Sequence, residues 1–547
     1  MVNRLIKKSA LWVQQEHQSI LSAAAIISVS YMASAFLGLI RNRLLAAKFF
    51  GGLEKDLDVY FAASVIPDTL FQLLVVGAVS AAFVPVYQDY LSRSKEEATK
   101  MANATLTSFG LLMGVLTLLL FIFAPSIAAV STHFDRPQTE LMTSLIRIMS
   151  LAQLFFTVSA FLTGVLQSQK RFLIPAIAPL FYNLGTIMGI FFLSPYIGIY
   201  SAAVGMVIGA FFHLLIQLPL ARSLGFVPRP VFNLKNEGSL TIFRLMPGRS
   251  LALGIGQIER YAIINLSSLL TVGSLTLFSF ARQLYLLPVS LFGVALGQAS
   301  FPSLAEDATQ KDSARFRETL SKALMQTIFF SLPASVLLLI LRIPIVRLVF
   351  GADHFPWDAT LQTGKVLAIL SLSIATQAAI QVIIRSFYAK KDTRTPLLVS
   401  LVTILLFVGL GWVFTNVYAW GIVGIAIALT FSNSIDFILL YLLISRKIGR
   451  LSLGYKFAKM FVASFFTALF LWAPMRLLDQ FVFDTTRTLP LIMLTVIVSA
   501  IGGFVYLALS AFFEVEELDE VKSMVKKLGN WRQILVESDE VLESSTT

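Results

Sequence analysis

The chain has 547 residues, of which 56% are hydrophobic and 14% are charged, and it carries a formal net charge of +12 and no cysteine. Soluble proteins carry about 25% charged residues, so this chain lacks the polar surface to cover its apolar content in water. The absence of cysteine excludes disulfide frameworks and thiolate metal sites. The composition therefore predicts an integral membrane protein, and the four scattered histidines suggest neither a metal site nor a cofactor site.

The first element in chain order is a basic segment, residues 1–18, which polar residues interrupt. We interpret this segment as an interfacial helix and not as a cleaved signal. A membrane-spanning helix then needs about 20 mostly apolar residues. The stretches that meet this need are residues 19–41, 58–91 (with a break near Pro67), 103–131, 141–168, 173–194, 199–223, 243–270, 273–304, 318–350, 360–388, 395–415, 418–445, 456–478 and 487–513. The expected fold class is an all-α integral membrane protein with about 14 transmembrane helices.

Basic residues alternate between rich and poor loops along the chain. Rich loops include Lys95 with Lys100, Lys170 with Arg171, and Lys390 with Lys391, while the loop near Pro195 has none. By the positive-inside rule, the rich loops and both termini are predicted to be cytoplasmic, which requires an even number of spans. The same distribution is not the basic stripe of a nucleic-acid-binding protein, so no nucleic-acid partner is expected.

Prolines recur in the two halves of the chain at a nearly constant separation of 217 to 221 residues. The recurring pairs are Pro67 with Pro288, Pro85 with Pro302, Pro125 with Pro344, and Pro175 with Pro396. This recurrence predicts an internal duplication, with two pseudo-symmetric six-helix bundles related by an axis along the membrane normal. Because proline frees backbone carbonyls that a cavity can satisfy, we expect bent, cavity-lining helices at Pro67, Pro85, Pro288 and Pro302.

The duplication defines the expected domain organisation. In chain order it comprises the interfacial helix at 1–18, an N-lobe at 19–224, a cytoplasmic linker at 225–238, a C-lobe at 239–447, two further helices at 448–513 and a cytoplasmic tail at 514–547. Two facing bundles are typical of transporters, in which the substrate site lies between the repeats.

Charged residues inside the predicted spans are the candidates for function, because each costs roughly 2.5–3.5 kcal/mol on insertion scales. Arg41 ends helix one, where its guanidinium suits a diphosphate, although snorkelling to the interface is the alternative. Glu259 and Arg260 lie in the middle of helix seven, about 100° apart around it. They form either structural ion pairs or a cavity site, in which Arg260 would contact the substrate and Glu259 would bind a coupling ion or a proton. Arg282, in the middle of helix eight, is predicted to face a cavity.

Four segments carry a resemblance to a known family: "SAFLGLIRNRLLAAKFFG", "DVYFAASVIPDTLFQLLVVGAVSAAFVPVYQDY", "GVALGQASFPSLAE" and "FYAKKDTRTP". Over nearly its whole length the chain resembles the MurJ (MviN) family of lipid II flippases, within the multidrug/oligosaccharidyl-lipid/polysaccharide exporter superfamily. The resemblance implies two lobes around a cationic cavity and a lipid-tail groove at 448–513. It also implies alternating-access transport of lipid II, an undecaprenyl-diphosphate-linked peptidoglycan precursor, across the bacterial cytoplasmic (inner) membrane.

The resemblance also assigns roles to individual residues and shows departures. Arg41 matches a cavity arginine of the family, Asp58 matches an acidic residue at the start of helix two, and Glu259 matches an acidic residue at a sodium site in some members. The positions at which the family has arginines carry instead Ala35, Phe71, Gln72 and Gln283, and Val76 replaces an acidic residue. The expected substrate-binding set is Arg41, Asp58, Arg260, Arg282 and Gln283. The cargo prediction requires Arg41, Arg260 and Arg282 to share a basic hollow.

Other functions remain open at this point. A flippase for another polyprenyl-linked oligosaccharide, or a small-cation or drug antiporter of the same superfamily, is the main alternative. A membrane enzyme acting on lipid-linked sugars would need acid/base side chains in a sizeable extramembrane region, which this chain lacks, so no enzyme is expected. A scaffold without transport activity is the remaining alternative. Besides the substrate, the expected partners are membrane lipids and a coupling ion or the membrane potential, and a monomer is expected.

Overall fold

A computed structural model describes residues 20–233, 235–310, 312–351, 355–449, 451, 454–485 and 487–519. All regular structure in these residues is helical, which confirms the all-α fold class. The predicted interfacial helix at 1–18 lies outside the described residues, as does the predicted tail after residue 519.

The helices of the first half follow one another closely along the chain, apart from a longer connection between Ser223 and Glu237. They are α1 (Ile20–Phe49), α2 (Glu54–Phe71), α3 (Val84–Arg93), α4 (Lys95–Ser131), α5 (Arg136–Ser168), α6 (Leu173–Ile197), α7 (Tyr200–Leu215), α8 (Leu218–Ser223) and α9 (Glu237–Ser268). Polar side chains begin several of them. Ser94 accepts hydrogen bonds from the first turn of α4, and Asp135 forms a capping box with Gln138 at the start of α5.

The described part of the second half is also helical. Its helices are α10 (Ser274–Pro288), α11 (Ala295–Thr309), α12 (Ser313–Ile340), α13 (Arg342–Phe350), α14 (Trp357–Ser371), α15 (Ile374–Ala389), α16 (Arg394–Trp412), α17 (Gly421–Ile448), α18 (Gly454–Leu477) and α19 (Thr488–Phe512).

The described helices agree with a multi-pass membrane protein. Within the described residues, 11 helical segments are long and apolar enough to cross a membrane, and α14 with α15, bent by 47°, passes the same test as a pair. The 30-residue α1 and the 32-residue α9 overlap the first and seventh predicted spans, 19–41 and 243–270. The predicted number of about 14 spans is therefore compatible with the structure. Large apolar side chains such as Phe121, Phe192 and Phe504 are exposed, as lipid-facing residues are.

Two of the four prolines that were predicted to bend helices lie at π-helical segments, Pro85 just after one and Pro288 just before one, while Pro67 and Pro302 lie inside α-helices. The π-helical segments near these prolines are Gln72–Val76 and Val79–Phe83, between Pro67 and Pro85, and Val289–Val294, between Pro288 and Pro302. Pro67 itself lies inside α2, so the irregularity begins at Gln72 and not at the proline. A π-helical turn is a recognised cause of helix bending, so the geometry places irregular backbone where the sequence predicted kinks.

The chain divides into two compact units. Unit one consists of residues up to 283 together with 349–366 and 400–432. Its core includes the buried rings of Phe83, Phe109 and Phe161, which come from the second π-helical segment, α4 and α5. In the same unit, α6 packs against both α1 and α7.

Unit two consists of residues 284–348, 367–399 and those from 433 onward, as far as they are described. Its core includes Phe316, Phe329 and Phe387, and the hydroxyl of buried Tyr506 on α19 donates to the carbonyl of Phe329 at 2.9 Å. At one end of this unit, Lys447 forms an ion pair with Asp392.

Candidate functional site

The predicted charged residues all lie in unit one, on α1, α2, α9 and the first part of α10. Charges on membrane-crossing helices are rare and usually pair with one another or line a cavity. The arrangement of their partners therefore indicates what each charge does.

Arg260 on α9 forms an ion pair with Asp68 on α2. Its Nη1 donates to Asp68 Oδ2 at 2.8 Å and to Gln257 Oε1 at 3.2 Å. The hydroxyl oxygen of Thr69 also lies 3.2 Å from Gln257 Oε1, although its proton is donated to the carbonyl of Val65 at 2.7 Å. The two charged side chains remain partly accessible, at 29% exposed for Arg260 and 32% for Asp68.

Arg282 on α10 forms a second ion pair, with Glu259 on α9. The distance from Arg282 Nη2 to Glu259 Oε1 is 2.9 Å, and the side chains are 26% and 22% exposed. Glu259 and Arg260 are consecutive residues that face different helices, as their separation of about 100° around α9 requires. Two adjacent residues of α9 thus tie it to α10 and to α2.

Arg41 on α1 differs from the other two arginines because amides, and not carboxylates, hold it. Its Nε donates to Asn42 Oδ1 at 3.2 Å and its Nη1 donates to Asn183 Oδ1 at 3.3 Å. The amide of Asn183, on α6, is oriented by donating to the carbonyl of Ser34 at 3.2 Å and to its hydroxyl at 3.1 Å. Within the described part of the chain, Arg41 has no acidic partner, so its charge is not compensated by a direct contact.

Gln283 connects Arg41 to α10. The side-chain amide of Asn42 donates to Gln283 Oε1, and Gln283 is the residue next to Arg282. A continuous chain of contacts and neighbouring residues therefore runs from α6 through α1, α10 and α9 to α2. The structure brings together the predicted residues Arg41, Glu259, Arg260, Arg282 and Gln283 in this chain of contacts.

Asp58 on α2 lies in a different environment. It is buried, with 4% of its surface exposed, and it accepts hydrogen bonds from the Gly273 and Thr276 N–H groups at 2.7 and 2.8 Å and from the Thr276 hydroxyl at 2.7 Å. These donors form the start of α10, where backbone N–H groups have no helical partner. The geometry gives Asp58 a structural role in fixing α2 to α10, and its role in substrate binding stays a prediction.

Replacing Asp58 with alanine should destabilise the protein. Three buried donors would lose their acceptor, and hydrogen bonds to charged groups contribute about 1.5–3 kcal/mol each, so we expect a loss of about 3 kcal/mol or more. Asp58→Asn, which keeps one carbonyl acceptor, should lose less. The thermal unfolding midpoint of the purified protein measures both, with Asp56→Ala on the same helix as the control. An Asp58→Ala midpoint equal to that of the control would contradict the structural role.

Aromatic packing replaces one of the arginines that the resemblance leads one to expect. Phe71 lies 5.5 Å, between ring centroids, from Phe156, which in turn lies 5.3 Å from Tyr182 and 5.5 Å from His213.

With Arg260 and Arg282 each paired to a carboxylate, Arg41 is the member of the predicted set that presents uncompensated charge. The shared basic hollow of all three arginines stays a prediction.

Sequence reasoning missed four contributors to this site: Asn42, Asp68, Asn183 and Gln257. Asp68 carried a usable signal, because a carboxylate within a span has the same cost as an arginine and needs a partner. The amides carried no such signal. Among the described residues, no group of three histidine, aspartate or glutamate side chains is placed to hold a metal ion.

Comparison with known proteins gives a consistent family. Residues 45–510 match the family model described as "Lipid II flippase MurJ". The chain is 29% identical over 499 residues to a probable lipid II flippase MurJ of Thermotoga maritima, which covers 90% of this chain and 97% of that protein. It is 27% identical over 389 residues to the lipid II flippase MurJ of Burkholderia cenocepacia, covering 69% of this chain and 75% of that protein.

Solved structures agree with this assignment. A lipid II flippase MurJ in an inward closed conformation matches with a TM-score of 0.72 and 25% identity, over 90% of this chain and 99% of that one. An inward-facing multidrug resistance MATE transporter of the MOP superfamily matches with a TM-score of 0.66 and 14% identity, over 79% of this chain and 99% of that one, which is a likeness of fold alone. The predicted resemblance is thus confirmed, and the chain belongs to the MurJ family of lipid II flippases.

Proposed function

We propose that this protein moves lipid II, the undecaprenyl-diphosphate-linked precursor of peptidoglycan, across the bacterial cytoplasmic membrane by alternating access. The observation that carries the proposal is the family match over residues 45–510, which includes every charged residue of the site except Arg41. The protein is a transporter and not an enzyme, and membrane lipids are its surroundings.

Arg41 is the proposed contact for the diphosphate. A guanidinium presents five N–H donors in a planar fork that matches phosphate oxygens, and Arg41 uses two of its nitrogens on neutral amides. Because amides position the group without neutralising it, an anion that approaches meets a full positive charge. Arg260, Arg282 and Gln283 are the proposed further substrate contacts in the same chain of residues.

Several finer features belong to the same proposal. We propose that the lobes at 19–224 and 239–447 are pseudo-symmetric and rock about the irregular segments near Pro67, Pro85, Pro288 and Pro302. The segment 448–513 would hold the polyprenyl tail, both termini would be cytoplasmic, and the protein would act as a monomer. Glu259 is the proposed position for a coupling ion or proton, and its ion pair with Arg282 is the contact that such a cation would compete with.

The direct test is rescue of a bacterial strain depleted of its own lipid II flippase. We expect expression of this chain to restore growth and cell shape, and purified protein in proteoliposomes to make inner-leaflet lipid II accessible from the outside. The control is a set of proteoliposomes prepared in the same way with an equal amount of a protein that has no flippase activity. Good expression without rescue and without lipid II movement would contradict the proposal and favour another polyprenyl-linked glycan.

A further inference from the structure

Asp68 is an acidic side chain in the region proposed to bind an anionic headgroup, and the proposed function gives it no task. A carboxylate there repels a diphosphate and neutralises Arg260, one of the residues proposed to bind it. An acidic residue at this place therefore needs a physical explanation.

The geometry of the pair is that of an exchangeable contact. Asp68 engages only Nη1 of Arg260, through one oxygen at 2.8 Å, and the contact is not the two-point fork that makes arginine–carboxylate pairs strongest. In the described part of the chain, Nη2 and Nε of Arg260 have no partner. Both side chains are about 30% exposed, so protein atoms do not enclose the pair. A carboxylate held at one point and not enclosed by protein can be displaced without burying an uncompensated charge.

A second contact keeps Arg260 in place when the carboxylate leaves. Gln257 lies one turn earlier on α9, and its Oε1 accepts from the same Nη1 at 3.2 Å. Thr69, the neighbour of Asp68 on α2, places its hydroxyl oxygen 3.2 Å from that oxygen, while its single proton goes to the carbonyl of Val65 at 2.7 Å. The guanidinium is therefore positioned by a neutral group and neutralised by a charged one, and the two functions are separable.

We propose that Asp68 is an exchangeable counter-ion that sets the affinity of the site for its anionic ligand. In the empty protein its carboxylate neutralises Arg260. A diphosphate displaces it on loading, using the planar donors of Arg260, and the carboxylate takes the guanidinium back on release. Asp68 thus does not touch the ligand and acts on it only through the charge of Arg260. This inference rests on the proposed function only in that the ligand carries a diphosphate.

The function of such a counter-ion is release. A transporter must bind its cargo on one side and let it go on the other, and affinity that is too high traps the ligand. Competition by an internal carboxylate lowers affinity by a fixed factor on both sides, without removing the arginine that recognises the ligand. The Glu259–Arg282 ion pair can be compared with the Asp68–Arg260 pair in the same protein. It is slightly less exposed, and its carboxylate lies on the same helix as Arg260.

The experiment uses the full chain in lipid nanodiscs and farnesyl diphosphate as the probe, because that probe has the diphosphate but neither the glycan nor the long tail. Asp68→Asn removes the competing charge and keeps a hydrogen-bonding side chain. We expect the probe to bind Asp68→Asn about tenfold more tightly than the wild type, because it no longer has to break one charge-assisted hydrogen bond. We also expect the probe to dissociate more slowly from the variant. The matched control is Asp89→Asn, which removes the carboxylate of an exposed ion pair with Arg93 on α3 and should leave affinity unchanged.

A merely structural role for Asp68 predicts the opposite pattern. If Asp68 is structural, Asp68→Asn should have a lower thermal unfolding midpoint than the wild type and should bind the probe equally well or more weakly. That result overturns the proposal. Asp68→Ser provides a second, smaller neutral variant, and it too should bind more tightly. Should neither variant fold, Asp68 is a structural residue and the proposal is wrong.

The outcomes also separate this inference from the proposed cargo. In lipid II transport assays, Asp68→Asn should lower KM and kcat together, because tighter binding slows release. If the wild-type protein moves no lipid II but Asp68→Asn binds farnesyl diphosphate more tightly, the counter-ion role of Asp68 is supported and lipid II is rejected as the cargo. Lipid II movement together with unchanged diphosphate affinity in Asp68→Asn would reject the counter-ion and leave the cargo intact.

Discussion

Replacing Gly189 with leucine should prevent the protein from accumulating in a folded form. Gly189 on α6 faces Gly205 on α7, and a Cβ added to Gly189 would clash with the Gly205 backbone. The same is true one turn away, where a Cβ on Gly185 would lie 2.5 Å from the Cα of Gly209. The two helices therefore touch through their backbones at two glycine pairs.

The size of the expected effect follows from what holds membrane helices together. Lipid supplies no hydrophobic drive between helices, so close packing through small residues is the main source of association. The clashing atoms belong to backbone and have no rotamer into which to move, so the helices must separate. We expect a loss of about 4 kcal/mol or more for leucine and a smaller, measurable loss for Gly189→Ala.

Gly114→Leu is the control for this prediction. Gly114 lies on α4 within a segment of the same apolar character, and a Cβ there meets no atom within 4 Å. The measurements are the yield of monodisperse protein in mild detergent and its thermal unfolding midpoint. A Gly189→Leu protein with the yield and midpoint of Gly114→Leu would show that α6 and α7 do not depend on this contact.

The fold was predictable because lipid imposes a strong and local constraint on sequence. A bilayer requires about 20 apolar residues per span, and this requirement can be counted along a single chain. Helix ends were less predictable. The span predicted at 103–131 belongs to a helix that begins at Lys95, because Ser94 caps it and its first two turns extend beyond the apolar stretch.

The sequence allowed us to predict most of the charged residues of the site, but not which of them pair with one another. Arg260 was recognised as a costly mid-span charge, yet its partner Asp68 is 192 residues away in sequence. Which faces of two helices meet depends on packing between all the helices of unit one, and no local pattern records it. The amide that holds Arg41 illustrates the same point, because Asn183 lies 142 residues away and is an ordinary residue of an apolar helix.

Replacing Arg41 with glutamine should abolish transport while leaving the protein folded. Glutamine can still donate a hydrogen bond to Asn183, so the contact between α1 and α6 is retained in kind, whereas the charge is lost. A charged hydrogen bond to phosphate contributes about 1.5–3 kcal/mol, and Arg41 has donors for two, so diphosphate affinity should fall by at least about 100-fold. Arg41→Lys, which keeps the charge but not the planar fork, should fall between glutamine and wild type.

Arg43→Ala provides the matched control two residues further along α1. Arg43 reaches the carbonyl of Gly351 at 3.4 Å, and we expect its loss to change lipid II movement little. Rescue of depleted cells, lipid II movement in proteoliposomes and the thermal unfolding midpoint should be measured on all three variants. If Arg41→Gln transports at the wild-type rate, the amide-held guanidinium is a helix-packing residue, and recognition of the diphosphate must lie with Arg260 and Arg282, in competition with their carboxylate partners.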